Sequence, residues 1–308
     1  MSPVWTLIII SLCISIPLIA IISLFSYYSS KWLVKWLKGV KRIDNRKDLD
    51  RVFPDSKGWK LKEIVRLTRE ISHKFKIKMP EVGVYVSSEV NAFATGPAGN
   101  TLIAFSTNLV NQMSIEEIRG VVGHELSHLI HYDLRRILLV QGIFDVLYWV
   151  FSILLGWLIF SSLARRRNEE ESSGAGDFVR FIFVWILFRI ITGIFRLVGI
   201  LFVLWYNRKR ELAADLRGAK IVGVDSMLAT LQKLLALENK NWIVDGIDLT
   251  EDENTQQVGE PNSVSLLKFN PEKKSKGLLD LFRTHPTLEE RIKRLEKLKK
   301  EANTPGMV

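Results

Sequence analysis

The chain holds a single cysteine, Cys13, among its 308 residues. No intramolecular disulfide and no cysteine-only metal site can form, so a disulfide scaffold and a zinc finger are excluded. No RNA- or DNA-binding motif and no internal repeat is present. Acidic residues are in the minority, 33 against 43 Lys and Arg, for a formal charge of +10. Such a balance suits nucleic acid or an anionic membrane surface, and hydropathy decides between them. The chain is 47% hydrophobic and 25% charged, with a mean hydropathy of +0.12. That is too charged for membrane helices alone and too apolar for disorder, so the two residue classes must be segregated.

Charge is missing altogether from Val4 to Tyr28, a run longer than the roughly 20 residues that cross a bilayer. Its interior Pro17 is tolerable in lipid. No basic residue precedes the run, which is also long for a secretory signal, so a retained anchor is expected. A second apolar run covers Ile137–Ala164, broken only by Gln141 and Asp145. A third covers Phe178–Tyr206 and carries Arg180, Arg189 and Arg196. The polar stretch 165–177 between them makes the pair a transmembrane hairpin. Arg189 and Arg196 share a helix face, and charges in lipid normally face protein or water. Asp145 is a candidate partner for either. Buried core helices of a soluble protein are the alternative reading, and the lengths of the runs argue against it.

Three spans put residues 29–136 and 207–308 on one side. The flanks there carry Lys31, Lys35, Lys38, Lys41, Arg42, Arg46 and Lys47, then Arg135 and Arg136, then Arg208, Lys209 and Arg210. The opposite side has Arg165, Arg166 and Arg167. The polar segments are therefore expected in the cytoplasm and the N-terminus outside. Trp32 and Trp36 among lysines predict a short interfacial helix after the first span. With the basic charge assigned to the membrane, no nucleic-acid partner is required. The expected division is 1–38 (anchor and interfacial helix), 39–136 (first catalytic part), 137–206 (hairpin) and 207–308 (second catalytic part).

Leu61, Ile64, Val65, Leu67, Ile71 and Phe75 fall at helical spacing, ahead of Pro80. Residues 82–86 read as a strand, and residues 91–96 with 101–106 as a hairpin. Ser114 and Glu117 form a capping box for a helix running toward His131. Helices are also expected over 207–222, 225–238 and 287–301, with an irregular stretch at 239–278.

Within the capped helix lies Gly123-His124-Glu125-Leu126-Ser127-His128. Histidines at i and i+4 project from one face and can share one Zn²⁺ at roughly 2.0–2.1 Å. Glu125 is then placed to act as general base and to carry the proton to the leaving amine. This is the HExxH pattern. A His pair on a helix is also compatible with plain polar surface. His131 reads as a residue at the membrane border, with a ligand role left open. A catalytic zinc needs a third protein ligand, and Asp133, Leu134 and Arg135 supply no third histidine in the extended pattern. Glu211 and Asp215, one helical turn apart in Arg210-Glu-Leu-Ala-Ala-Asp215, are the candidates: Glu211 as ligand, Asp215 as acceptor for a ligand imidazole. Their segment also reads as an ordinary charged helix. The hairpin favours the metal-site reading, since it returns residue 207 to the face where residue 136 entered.

Four features, Asn91–Gly96, Val122–His128, Arg210–Asp215 and His285-Pro286 followed by Arg291-Ile292, make the chain resemble the HtpX-like heat-shock membrane metalloproteases of the gluzincin type. More loosely it is similar to the CAAX prenyl endopeptidases. The match in order and spacing covers about residues 60–300. The resemblance implies a mainly α membrane protein with an α+β zincin-like domain, a small β-sheet and about three transmembrane helices. It implies His124, His128 and Glu211 as ligands of one Zn²⁺, Glu125 as catalytic base, and Asp215 steadying a ligand histidine. Asn91, Ala92, Phe93 and Ala94 would form an edge strand that holds the substrate backbone. His285 would stabilise the oxyanion, with a role in capping the last helix equally open. Arg291 is expected as a structural ion-pair partner. One departure is that the first protease segment is preceded by a single clear span rather than two.

The resulting expectation is a membrane-bound zinc endopeptidase of the stress response, acting on misfolded or damaged membrane proteins. Alternatives are a processing protease for specific, for example prenylated, peptides, a non-catalytic zinc-stabilised adaptor, and an ion-conducting protein built around Arg189 and Arg196. Ligand type leaves Co²⁺ or Mn²⁺ open beside Zn²⁺.

Overall fold

A computed structural model of the chain describes residues 3–44, 58–167, 174–245 and 285–303. The elements run α1 (Pro3–Lys38), β1 (Lys41–Arg42), α2 (Gly58–Lys74), β2 (Glu81–Tyr85), β3 (Ala92–Thr95), β4 (Leu102–Ser106) and α3 (Thr107–Gln112). Then follow α4 (Ile115–Ile130), α5 (Asp133–Arg167), α6 (Gly174–Val222), α7 (Val224–Asp245) and α8 (Leu288–Asn303). The protein is mainly helical with a small mixed sheet, as expected.

Two compact units form. One comprises residues 1–30 and 133–206, the other residues 31–132 and 207–308. Among the described residues, three helical stretches are long and apolar enough to cross a membrane: Ile9–Lys38, Asp133–Ile159 and Phe178–Val222. Inside the first unit, α5 and α6 are pinned by aromatic pairs, Phe151–Phe195 stacked at 4.4 Å and Phe144–Phe202 at 4.9 Å between ring centroids. α1 passes beside α5 at Gly142, where a Cβ would make ordinary contact with Ile19 at 3.5 Å and with Ser23.

The predicted interfacial helix is not separate. Nothing between Ser29 and Lys38 breaks a helix, so α1 runs on to Lys38, and Gly39 ends it at φ +58°. Within the second unit, Lys31 Nζ lies 2.8 Å from Glu81 Oε1, and Lys35 Nζ 3.1 Å from Glu81 Oε2. Lys31 also donates to Asn100 Oδ1 at 2.6 Å. The indoles of Trp32 and Trp36 stack and stay exposed. Of the polar stretch expected as a turn at 165–177, residues 165–167 end α5 and residues 174–177 begin α6, and the rest lies outside the described residues. Residues 239–245 continue α7, and the rest of the stretch 239–278 lies outside the described residues.

The sheet has the order β1-β2-β4-β3. β2 and β4 are parallel, and the predicted hairpin pairs β3 with β4, Ala92 opposite Phe105 and Thr95 opposite Leu102. β3 therefore forms an edge. Its turn needs glycine: Gly96 has φ +107°, and a Cβ there would sit 2.6 Å from the Asn100 carbonyl oxygen. Alternation sends Val82, Val84, Ile103 and Phe105 to one face. They pack with Leu61, Ile64 and Val65 of α2 and with Ile118, Val122 and Leu126 of α4 in the main core. The opposite face holds a smaller cluster of Val40, Tyr85, Leu102 and Ala104.

Candidate metal centre

Local rules set where α4 begins. Ser114 Oγ accepts from Glu117 N at 3.3 Å, and Glu117 Oε2 accepts from Ser114 N at 2.6 Å, the reciprocal pair that satisfies two otherwise orphaned donors. The helix ends at His131, and Tyr132 takes φ +54° before α5 starts. His131 Nδ1 lies 2.9 Å from the Ser127 carbonyl oxygen, so its ring folds back on its own helix. It is not among the clustered ligand atoms.

Close helix contacts put α4 against its neighbours. A Cβ on Gly123 would lie 2.8 Å from Val222, and one on Gly218 would lie 3.2 Å from the backbone nitrogen of His124. These glycines let α6 lie almost backbone to backbone with α4 where the motif begins. Ser127 Oγ donates to the Ala214 carbonyl oxygen at 3.3 Å. The sequence reading passed over this pair of small residues, which are legible only once the two helices are known to meet.

His124, His128 and Glu211 come together, with one ligand atom from each within 4.8 Å of the others. His124 Nε2 is 3.2 Å from His128 Nε2 and 3.4 Å from Glu211 Oε2, and His128 Nε2 is 3.7 Å from Glu211 Oε1. Donors about 2.0–2.1 Å from a tetrahedral ion are separated by about 3.3–3.4 Å. Two nitrogens and a carboxylate at these spacings fit a zinc ion. Glu211 is buried, as are Glu125 and Asp215.

Asp215 lies beside the first histidine of the pair. Its Oδ1 lies 2.9 Å from His124 Nδ1. A carboxylate accepts only, so Nδ1 carries the proton and the Nε2 lone pair is left for a metal. Arg291 is an ion-pair partner, as expected, and the structure supplies the partner that the sequence did not. Its Nε and Nη2 donate to Asp215 Oδ2 and Oδ1 at 2.7 and 2.6 Å. Arg210, read from the sequence as part of a charged helix, donates to Glu211 Oε1 at 3.0 Å. His285 Nδ1 reaches 3.7 Å from Glu211 Oε2 with its side chain largely exposed. Thr287 caps α8, accepting from Glu290 N at 3.2 Å, so one capped helix carries Arg291 and follows His285.

Metal-free electrostatics follow from this packing. Burial works against a charge on His124, but Asp215 and Glu211 outweigh it and push its pKa up to about 10. Burial likewise opposes ionisation of Glu211 and Asp215. The histidines hold Glu211 far below the usual carboxylate range, and Arg291 with His124 lowers Asp215. Without metal, His124 therefore keeps its second proton at neutral pH, and a divalent cation must displace that proton on entry.

At the sheet edge, Asn91 is exposed. Its N–H donates to Ser106 Oγ at 3.1 Å, and its carbonyl accepts from Ser106 N at 2.9 Å. Ala92, Phe93 and Ala94 are half-buried along β3, and the Phe93 ring sits 5.5 Å from that of Tyr85.

Residues 59–299 match the family model described as Peptidase family M48. The chain belongs to peptidase family M48. It is 33% identical over 277 residues to a protease HtpX homolog of Methylacidiphilum infernorum, covering 90% of this chain and 82% of the relative. It is 33% identical over 269 residues to a protease HtpX homolog of Bacillus subtilis, covering 87% and 78%. Protease HtpX of Ectopseudomonas mendocina is 32% identical over 277 residues, covering 90% and 83%. Among solved structures, Ste24p of S. mikatae superposes with a TM-score of 0.56 at 17% identity over 96% of this chain. The chain spans 62% of the length of Ste24p, and the likeness is one of fold. This M48 chain is therefore an HtpX-like integral membrane metalloprotease.

Proposed function

We propose that the protein is a zinc-dependent endopeptidase that hydrolyses peptide bonds in misfolded or damaged membrane proteins. Its catalytic unit faces the cytoplasm, a side supported by the Lys and Arg that flank the spans. The observation that carries the reading is the His124–His128–Glu211 donor set at tetrahedral spacing, with Asp215 and Arg291 behind it.

Zinc held by His124, His128 and Glu211 would polarise a scissile carbonyl and make water acidic enough to lose a proton near neutral pH. Glu125 follows the first ligand on α4 and is buried; it takes that proton and delivers it to the leaving amine. Asp215 holds the His124 tautomer, and Arg291 holds Asp215. His285, beside Glu211, offers an N–H to the oxygen that becomes negative in the tetrahedral state. The exposed edge of β3 at Asn91–Ala94 accepts an extended substrate backbone as an added strand. Unfolded segments fit this mode, because a folded chain presents few free extended strands.

Processing of prenylated peptides is the second reading, and the Ste24p-like fold favours it. Against it, the described residues hold three candidate spans, few for building a chamber around such a ligand.

The test is cleavage of an unfolded polypeptide by detergent-purified, zinc-loaded protein beside Glu125→Gln. The amide removes the base and leaves the ligands. Cleavage by the parent alone, with zinc retained in both, is expected. Equal cleavage would expose a contaminant. No cleavage by either would favour an adaptor.

A further inference from the structure

The membrane unit holds polar groups that peptide hydrolysis does not use. Between α5 and α6 lies a cleft of about 360 Å³, lined by Gln141, Asp145, Tyr148 and Arg196 among apolar side chains such as Phe195. Gln141, Asp145 and Arg196 are exposed, although they sit in the stretch of each helix that crosses the bilayer. The Arg196 guanidinium lies 5.6 Å from the Tyr148 ring centroid. Arg189, seven residues earlier and so on the same face of α6, is also exposed, with its guanidinium 6.0 Å from the Trp185 centroid.

Charge at such depth is expensive and is normally turned to protein or water. Asp145 is the single carboxylate in the apolar stretches 9–30, 137–159 and 178–206, which carry Arg180, Arg189 and Arg196. Asp145 shares the cleft with Arg196, and Arg189 on the same face of α6 leaves cation in excess there. Association with a second copy keeps the same ratio and removes none of that excess. A partner that brings its own carboxylate does remove it.

We propose that this face of α5 and α6 is a docking groove for a transmembrane segment of a substrate protein, one that carries an unpaired acidic residue. Arg189 and Arg196 pair with that carboxylate, and Gln141 with Asp145 offers hydrogen bonds to neighbouring polar groups. The chemistry selects damaged partners. An acidic side chain inside a native bundle is already paired, and one left bare marks a span that has lost its neighbours. The inference rests on the proteolytic reading, since the docked segment would belong to the polypeptide to be cut.

The experiment uses the full chain in nanodiscs, with Glu125→Gln in every protein so that nothing is cut. Two single-span reporters are offered, Leu-rich helices with either Glu or Leu at their centre, and association is read by energy transfer. The Glu reporter is expected to bind about tenfold more tightly, the worth of one good interhelical polar contact. Arg189→Leu with Arg196→Leu should abolish that difference. In the parent, cleavage of an unfolded soluble polypeptide should be unaffected by the two Arg changes, which shows that the variant folds. Equal binding of both reporters overturns the proposal. So does a preference that follows the anionic lipid content of the disc instead of the reporter's carboxylate. Acid-dependent binding without cleavage by the parent would uphold the groove and refute the protease.

Discussion

Gly120 sets two physical arguments against each other. It lies inside α4, where replacing glycine with alanine should stabilise a helix by about 1 kcal/mol. Packing predicts the opposite sign. A Cβ at Gly120 would collide with Thr230 Oγ1, and would lie 2.7 Å from the Ser226 carbonyl oxygen and 3.0 Å from Thr230 Cβ. Ordinary contact is about 3.5–4.0 Å, and the Ser226 oxygen is backbone that no rotamer moves away. Thr230 Oγ1 is also within hydrogen-bond distance of the Glu117 and Ser226 carbonyls, at 2.5 and 2.8 Å. Overpacking of this kind costs about 1–3 kcal/mol, and losing the tie to Glu117 about 1 kcal/mol more. Offsetting the propensity gain leaves Gly120→Ala destabilising by about 2 kcal/mol. In a domain of this size that is a fall in Tm of roughly 4–8 °C. The assay is thermal unfolding in one detergent, with Gly193→Ala as the control, because nothing lies within 4 Å of a Cβ there. Adding Thr230→Ala should recover part of the loss and not all of it, since the Ser226 carbonyl stays. An unchanged or raised Tm for Gly120→Ala would refute the close approach of α4 and α7.

Arg291→Lys replaces a fork holding both Asp215 oxygens by a point charge, so zinc affinity should fall about 10–100-fold; chelator competition reads this, and an unchanged affinity would mean Asp215 holds His124 unaided. The raised His124 pKa gives a pH dependence with a definite sign. In the metal-free chain its stabilising charge is fully present below about pH 6.5 and is lost as pH rises through about 10. Metal must displace that proton, so apparent zinc affinity should climb about tenfold per pH unit from 7 to 9, and a flat titration would contradict it. Ser114→Ala removes the α4 cap and should cost about 1 kcal/mol, seen as a lower Tm with the ligand set intact.

Local physics made much of this protein legible in one dimension. Long uncharged runs mark helices that cross a bilayer, because hydrocarbon leaves few other solutions. The i, i+4 spacing puts His124 and His128 on one face whatever surrounds them. The Ser114–Glu117 box starts α4 where four residues alone say it should, and Asn91–Ser106 folds as the hairpin its turn residues predict. The stretch after Tyr28 continues α1 to Lys38, because no residue there interrupts helical hydrogen bonding. Other features have no local signature. That Asp215 receives Arg291 rather than Arg208 or Arg210 depends on how α8 packs after a segment of 42 residues between Asp245 and Leu288. That Arg196 rather than Arg189 shares a cleft with Asp145 depends on the register of α5 against α6. That Gly123 and Gly218 must be small follows from a contact between residues 95 positions apart. Periodicity and motif spacing are short-range quantities, so they single out candidate residues for the chemistry; distances between remote segments come from packing, and that alone decided which of them meet.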